Sequence, residues 1–177
     1  MSTVPMIIVH EKARRLWRFR PLLRGSEDEV RKLSVADDVH SWLYKDDGQS
    51  AIVKTKGSIK AHFGEFVRGE SIDDRHFMKR VEDRRHIPPT FSHGVWAISP
   101  RFNPQYRFFG LFAITDWFVI LNKQSRDVLD ESDARWHVEI DKSLQIWSRL
   151  FTDRHPWVAD NLTEYVSSNA EKCDDRW

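Results

Sequence analysis

Two clusters of basic residues are the groups whose types and spacing suggest a chemistry. One runs Lys12, Arg14, Arg15, Arg18, Arg20 and Arg24; the other comprises Arg75, Lys79, Arg80, Arg84 and Arg85. Cations bunched in this way neutralise phosphates and release their counterions. The second cluster falls in a segment whose pattern predicts a helix, with Arg75, Lys79 and Arg80 at neighbouring positions. The same run also fits a solvated helix face, because Asp73, Asp74, Glu82 and Asp83 can pair with it. The first cluster has only Glu11 to offset it and suits an arm on nucleic acid or on an acidic partner.

Other chemistries find little footing. There is no P-loop, no G-x-G-x-x-G and no H-E-x-x-H. His137-x-Glu139 matches half of a zinc-deaminase signature, but the Pro-Cys-x-x-Cys half is missing. Ser92 and His93 are adjacent, which is not a catalytic geometry. The single cysteine, Cys173, makes neither an intramolecular disulfide nor a cysteine-based zinc site and fits a reducing compartment. No metal and no cofactor are expected.

The elements that must position these groups are those of one domain. Forty per cent of the 177 residues are apolar, enough for a sizeable core, and eight Trp and eleven Phe predict that the core is aromatic-rich. The formal net charge of +1 predicts no strong nonspecific pull toward nucleic acid or membrane. Residues 1–100 hold 18 Lys/Arg against 14 Asp/Glu and residues 101–177 hold 10 against 13, so the local clusters matter more than the asymmetry. No apolar run approaches a membrane span and no signal peptide is evident, so the chain reads as cytoplasmic, with no membrane partner.

Met6–His10 reads as a short edge strand, and Glu11–Phe19 as a helix that Pro21 stops. Ser26 with Glu29 has capping-box spacing, and Ser34 is the expected cap of a short helix that turns Val35, Val39, Trp42 and Leu43 inward. Asp46-Asp47-Gly48 reads as a turn. Ala51–Thr55 is an expected strand, and 58–68 a helix ended by Gly69. Ser71 then caps a helix facing inward with Ile72, His76, Phe77 and Val81, and Pro88-Pro89 marks a loop. Gly94–Ser99, Tyr106–Ile114 and Trp117–Lys123 form a three-stranded meander whose last turn is Thr115-Asp116. Ser132 caps a long helix with Trp136, Ile140, Leu144, Trp147 and Phe151 on one stripe. Asn161 caps a last one, facing inward with Leu162, Tyr165 and Val166.

From about residue 51 the order is strand, two helices, meander, long helix. Phe77-Met78-Lys79-Arg80-Val81, Val95-Trp96-Ala97-Ile98, Tyr106-Arg107-Phe108-Phe109, Val119-Ile120-Leu121-Asn122-Lys123 and Trp136-His137-Val138-Glu139-Ile140 follow in turn. Together they resemble the RelE/HigB toxin superfamily, in particular its phage-derived HigB-like branch, over about residues 51–155. The resemblance implies an α+β fold: a three- or four-stranded antiparallel sheet flanked by helices, as a RelE-like core. Residues 1–50 would be a helical N-terminal extension and 156–177 a C-terminal helix and tail, within a single domain. The chain departs from the family in that extension, in that last helix, and at Ala97, where a glutamate usually follows the Trp.

The resemblance further implies a toxin of the toxin–antitoxin kind, a metal-independent endoribonuclease or RNA-binding protein, with RNA, the ribosome and a protein antitoxin as partners. Arg107, Lys123 and Tyr106 would be its catalytic residues, and Lys79, Arg80 and Arg126 its RNA-binding residues. Such chemistry needs a proton taken from a 2′-hydroxyl, cations on the five-coordinate phosphate, and an aromatic ring against a base. Hairpin arithmetic weighs against this assembly. A two-residue turn sets Arg107 opposite Gln124 and Phe108 opposite Lys123, which leaves Arg107 and Lys123 on different faces unless a bulge reunites them. Arg107 then also fits a salt bridge across the meander, and Lys123 a charge at a strand end. The alternative is a non-catalytic protein-interaction module on the same fold.

Overall fold

The computed structural model describes residues 3–21, 28–45, 48, 50–73, 77–85 and 93–171. Expectations for Ser26, Asp46-Asp47, His76 and Pro88-Pro89 lie outside these residues. Helix α1 spans Val4–Lys12, followed by strands β1 (Leu16–Arg18) and β2 (Lys32–Ala36). Helices α2 (Asp37–Tyr44) and α3 (Ser50–Arg68) precede the short strands β3 (Ile72–Asp73), β4 (Met78–Arg80) and β5 (Trp96–Ile98). The hairpin β6 (Tyr106–Ile114) and β7 (Trp117–Ser125) leads into α4 (Arg126–Leu129), α5 (Asp133–Leu150), α6 (Leu162–Tyr165) and β8 (Ala170–Glu171).

The fold is α+β, but its sheet is larger than the expected antiparallel meander. Six strands run in the order β1-β2-β7-β6-β5-β4, and β2 lies parallel to β7, so the sheet is mixed. The meander β5-β6-β7 stands at its centre as expected. The first 50 residues add two strands as well as helices, and β4 forms where a helix was expected. Strand β3 pairs apart with β8.

Each local correction has a cause in packing. Pro5 suits a first helical turn, and α1 buries Ile7 and His10 three residues apart while Ile8 and Val9 stay exposed, which is a helical period and not an alternation. In α3 the buried residues Thr55, Lys56, Ile59, Phe63, Phe66 and Val67 continue one stripe, so the expected strand at 51–55 is the start of the helix. Gly69 ends it at φ 76°. Ser34 is not a cap: buried in β2, its hydroxyl donates to Glu11 (3.0 Å) and accepts from the Trp117 indole (3.0 Å). Asp37 and Asp38 open α2 instead, favourable charges at a helix N-terminus.

Alternation along β6 and β7 divides the core between two faces. Phe108, Phe112, Phe118 and Ile120 pack with α2, α3 and α6 through Val39, Leu43, Phe63, Phe66 and Tyr165. Phe109, Leu111, Val119 and Leu121 pack with α1, α4 and α5 through Ile7, Leu129, Ile140 and Trp147. The aromatic-rich core is thus present, chiefly on the first face, and each fully buried ring contributes roughly 1.5–3 kcal/mol.

The Thr115-Asp116 turn ties this sheet to its surroundings. Asp116 has φ 62°. Its carbonyl accepts from Lys32 N (2.6 Å), its N–H donates to Tyr165 O (2.9 Å), and its carboxylate accepts from Ser167 N (2.9 Å). Asp116→Ala is expected to lower stability by about 1–2 kcal/mol, since alanine pays for left-handed backbone and leaves Ser167 N unpaired. Urea denaturation should place Asp116→Asn closer to the wild type; equal losses in the two variants would count against this account.

Candidate functional site

Cross-strand partners share a face of a sheet. The register therefore makes one row of Lys79, Ala97, Phe109 and Asn122, and the adjacent row, on the opposite face, of Met78, Ile98, Phe108 and Lys123. Arg107, paired with Gln124, belongs to the face that carries Lys79; Tyr106, paired with Ser125, belongs to the face that carries Lys123. Two bulges interrupt the hairpin, one leaving Leu121 and the other Ala113 without a partner. They lie in opposite strands and cancel, so the pairs Arg107–Gln124 and Phe108–Lys123 are those that the turn alone dictates.

On the Lys79 side, β4, β5, β6, α4 and the first turns of α5 enclose a cleft of about 660 Å³. Lys79, Arg80, Arg84, Arg101, Arg107 and Arg126 line it against three carboxylates, Glu82, Asp130 and Asp133. The carboxylates are engaged at its edges. Arg126 pairs with Asp130 (2.7 Å), and Arg84 with Glu82 (3.3 Å) and Asp133 (3.4 Å). Among the described residues Lys79, Arg101 and Arg107 form no ion pair, so the expected salt bridge of Arg107 is not made. Arg107 is half-buried and donates to the carbonyl of Tyr106 (3.1 Å). Burial, and then the neighbouring charge of Arg126, push its guanidinium below the ordinary arginine value. Ala97 is part of the floor and the cross-strand partner of Lys79. Its methyl group sets no charge beside that lysine.

Trp136 and His137 line the other wall. Trp136 meets Phe109 edge-on (centroids 5.7 Å apart) and carries the Arg126 guanidinium over its ring (5.8 Å). His137 Nε2 lies 3.9 Å from Asp83 Oδ1. Asp83 is buried and receives Arg85 N (3.1 Å), Nε (2.9 Å) and Nη2 (2.7 Å), which hold its carboxyl well below the usual carboxylate range. Asp141 braces Arg85 from behind (2.8 Å).

Four of the six expected site residues, Lys79, Arg80, Arg107 and Arg126, thus meet in one cleft. Lys123 and Tyr106 do not. Lys123 Nζ sits 4.2 Å from the Trp42 ring and 5.4 Å from the Tyr106 ring, and those two rings are 4.8 Å apart. It is therefore not a strand-end surface charge but a cation held among aromatic rings under α2. Lys79 and Arg80 stand on a strand and not on the expected helix, because β5 presents an edge that β4 completes. Arg101, Trp136 and His137 were not expected in the site: Arg101 stands in a connection without periodicity, Trp136 reads as part of a core stripe, and His137 belongs to a broken motif. Among the described residues no group of His, Cys, Asp and Glu is arranged to hold a metal ion, and no helix is long and apolar enough to cross a membrane.

No family model matches this chain, and neither a curated protein nor a solved structure matches it.

Proposed function

We propose that this cleft binds the phosphate backbone of RNA, and that the protein is an RNA-directed protein of the toxin-like kind its strand motifs suggest. The observation that carries this reading is Arg107: a cation half withdrawn from water, without an ion pair among the described residues, beside Arg126 and Arg101. Like charges held together at a partly desolvated site are costly until an anion neutralises them. A polyanion with regularly spaced phosphates fits a cleft that offers several cations along its length, and the Trp136 wall offers a ring against a base.

Anisotropy of a labelled single-stranded RNA at several salt concentrations tests the proposal. Binding should weaken steeply with salt, and Arg107→Ala should reduce the slope of log K against log salt by about 1. Induced expression should arrest growth, with Arg107→Ala relieving the arrest. No binding at low salt, or an unchanged slope in the variant, would sink the proposal.

A protein-interaction module on the same fold is the second reading. It is favoured by the placement of Tyr106 and Lys123 across the sheet from Arg107, which separates the three side chains that were expected to do the chemistry. Growth without arrest, together with a cleft indifferent to RNA, would favour it.

A further inference from the structure

We propose that helix α1 seats the protein on an anionic lipid surface, its outer stripe entering the interface and the cations at its C-terminal end meeting the headgroups. From Val4 to Val9 the helix is apolar on every side. Its inner side is occupied: Ile7 and His10 are buried, His10 Nε2 donates to the Leu150 carbonyl at the end of α5, and the His10 ring meets Phe151 edge-on (centroids 5.5 Å apart). Pro5, Ile8, Val9 and Lys12 fall at the i, i+3, i+4, i+7 spacing of one helical stripe, and that stripe faces water. Ile8 is 44% and Val9 61% exposed. Single exposed aliphatic residues are ordinary, but a row of them that ends in cations is the pattern of a helix lying in a membrane interface.

The end of the helix supplies an independent observation. Arg14 stands at φ 56°, its N–H donates to Glu11 O (3.1 Å), and Arg15 N–H donates to His10 O (2.9 Å). These are the bonds of a helix closed by a left-handed residue, a position where glycine costs least. Here the chain carries arginine, and the closure holds Arg14 and Arg15 beside Lys12, just past the apolar stripe. All three are exposed, and among the described residues none of them forms an ion pair. Glu11, the carboxylate of α1, is engaged elsewhere, accepting from the Ser34 hydroxyl (3.0 Å). Lys12 can lay its stem along the stripe and keep its ammonium at the headgroups. The stripe offers no ring, amide or hydroxyl with which to read a protein partner, whereas a bilayer asks only for apolar area and positive charge. A helix of nine residues is about 13 Å long, against the roughly 30 Å of a bilayer core, so α1 would lie on the surface and not span it. The phosphate-binding cleft sits at the first turns of α5 and α1 packs at its last, so the seat is separate from the cleft.

The full chain is sedimented with vesicles of phosphatidylcholine alone and with vesicles that also contain phosphatidylglycerol. It should bind the anionic vesicles, less so as salt rises, and leave the neutral ones. Arg14→Gly should bind about 5-fold more weakly, although its thermal midpoint should equal or exceed that of the wild type, because glycine relieves the left-handed residue. Val9→Ser, which removes exposed carbon, should also bind about 5-fold more weakly. Arg107→Ala, in the cleft, should bind as the wild type does. If one of the two α1 variants does not fold, the other decides. No binding to anionic vesicles at low salt overturns the proposal, and so does equal binding to both kinds. It is likewise overturned by folded α1 variants that bind like the wild type, by binding that Arg107→Ala abolishes, or by a dimer that Val9→Ser dissolves and that vesicles do not capture.

Discussion

Replacing Arg31 with alanine is expected to remove about 3–5 kcal/mol of stability, the cost of emptying a buried charge site that several carbonyls share. The Arg31 side chain has no exposed surface. Its guanidinium donates to the carbonyls of Phe66 (3.4 Å), Glu70 (2.9 Å) and Ser168, and lies 5.5 Å from the centroid of the Phe66 ring. Asp116 Oδ1 stands 4.0 Å from its Nε. Burial pushes its pKa below the ordinary arginine value, and Asp116 works in the opposite direction. Phe66 and Glu70 bracket the end of α3, where the Phe66 carbonyl also accepts from Gly69 N (3.1 Å) and the dipole favours a cation. One side chain just before β2 therefore closes α3 and fastens the segment after α6. Alanine would leave the Glu70 and Ser168 carbonyls without the guanidinium donors. Stabilities of folded domains are roughly 5–15 kcal/mol, so the loss should lower the urea midpoint by a large fraction at nearly constant m. Arg31→Lys should recover only part, because one ammonium cannot span three acceptors in the guanidinium plane. A loss below about 1 kcal/mol in Arg31→Ala would show that the carbonyls find other partners, and the account would fail.

Gly110→Ala should rank beside it. A Cβ at Gly110 would meet Val119 O at 2.1 Å, Val119 C at 2.9 Å and Phe118 Cζ at 2.8 Å. The nearest obstacle is backbone, which cannot swing aside as a side chain can. Overpacking a core costs about 1–3 kcal/mol and sometimes more, and the upper end is expected because β6 and β7 must part at the centre of the sheet. Gly110 sits where the first bulge begins: Phe109 faces Asn122, Gly110 faces Ile120, and Leu121 is the extra residue. That bulge lets Leu121 and Asn122 both address α5, where Asn122 donates to the buried Glu139 carboxylate (2.5 Å) and accepts from Ser143 (2.6 Å). The variant should lower the urea midpoint and speed amide exchange at Phe109–Leu111 and Val119–Asn122. A stability within about 0.5 kcal/mol of the wild type would mean that the strands separate at no cost.

Both positions show how far a sequence speaks for itself. Gly110 reads as an interruption in an apolar run, yet the reason for glycine is the backbone of the partner strand. Arg31 reads as one more basic residue near a cluster, yet it is a buried clasp. The expected functional residues divide in the same manner. Hairpin arithmetic on Thr115-Asp116 already separated Arg107 from Lys123, and the structure keeps them apart. It could not tell that a bulge in each strand would cancel, nor that Lys123 would find Trp42, a contact between α2 and β7.

What the sequence by itself determined are the elements whose signals are local. These include the β5-β6-β7 meander, the stripe of α5, the end of α3 at Gly69 and the start of α6 after Asn161. Each is written in residues a few positions apart, where backbone sterics and side-chain period act directly. Only the tertiary structure decided β1, β2 and β4, the parallel pairing of β2 with β7, and the cleft that gathers Lys79, Arg101, Arg107 and Arg126 with Trp136 and His137. Segments of three to five residues carry too little period to declare themselves. They become strands because open edges of the hairpin sheet offer hydrogen-bond partners that their own sequence cannot supply.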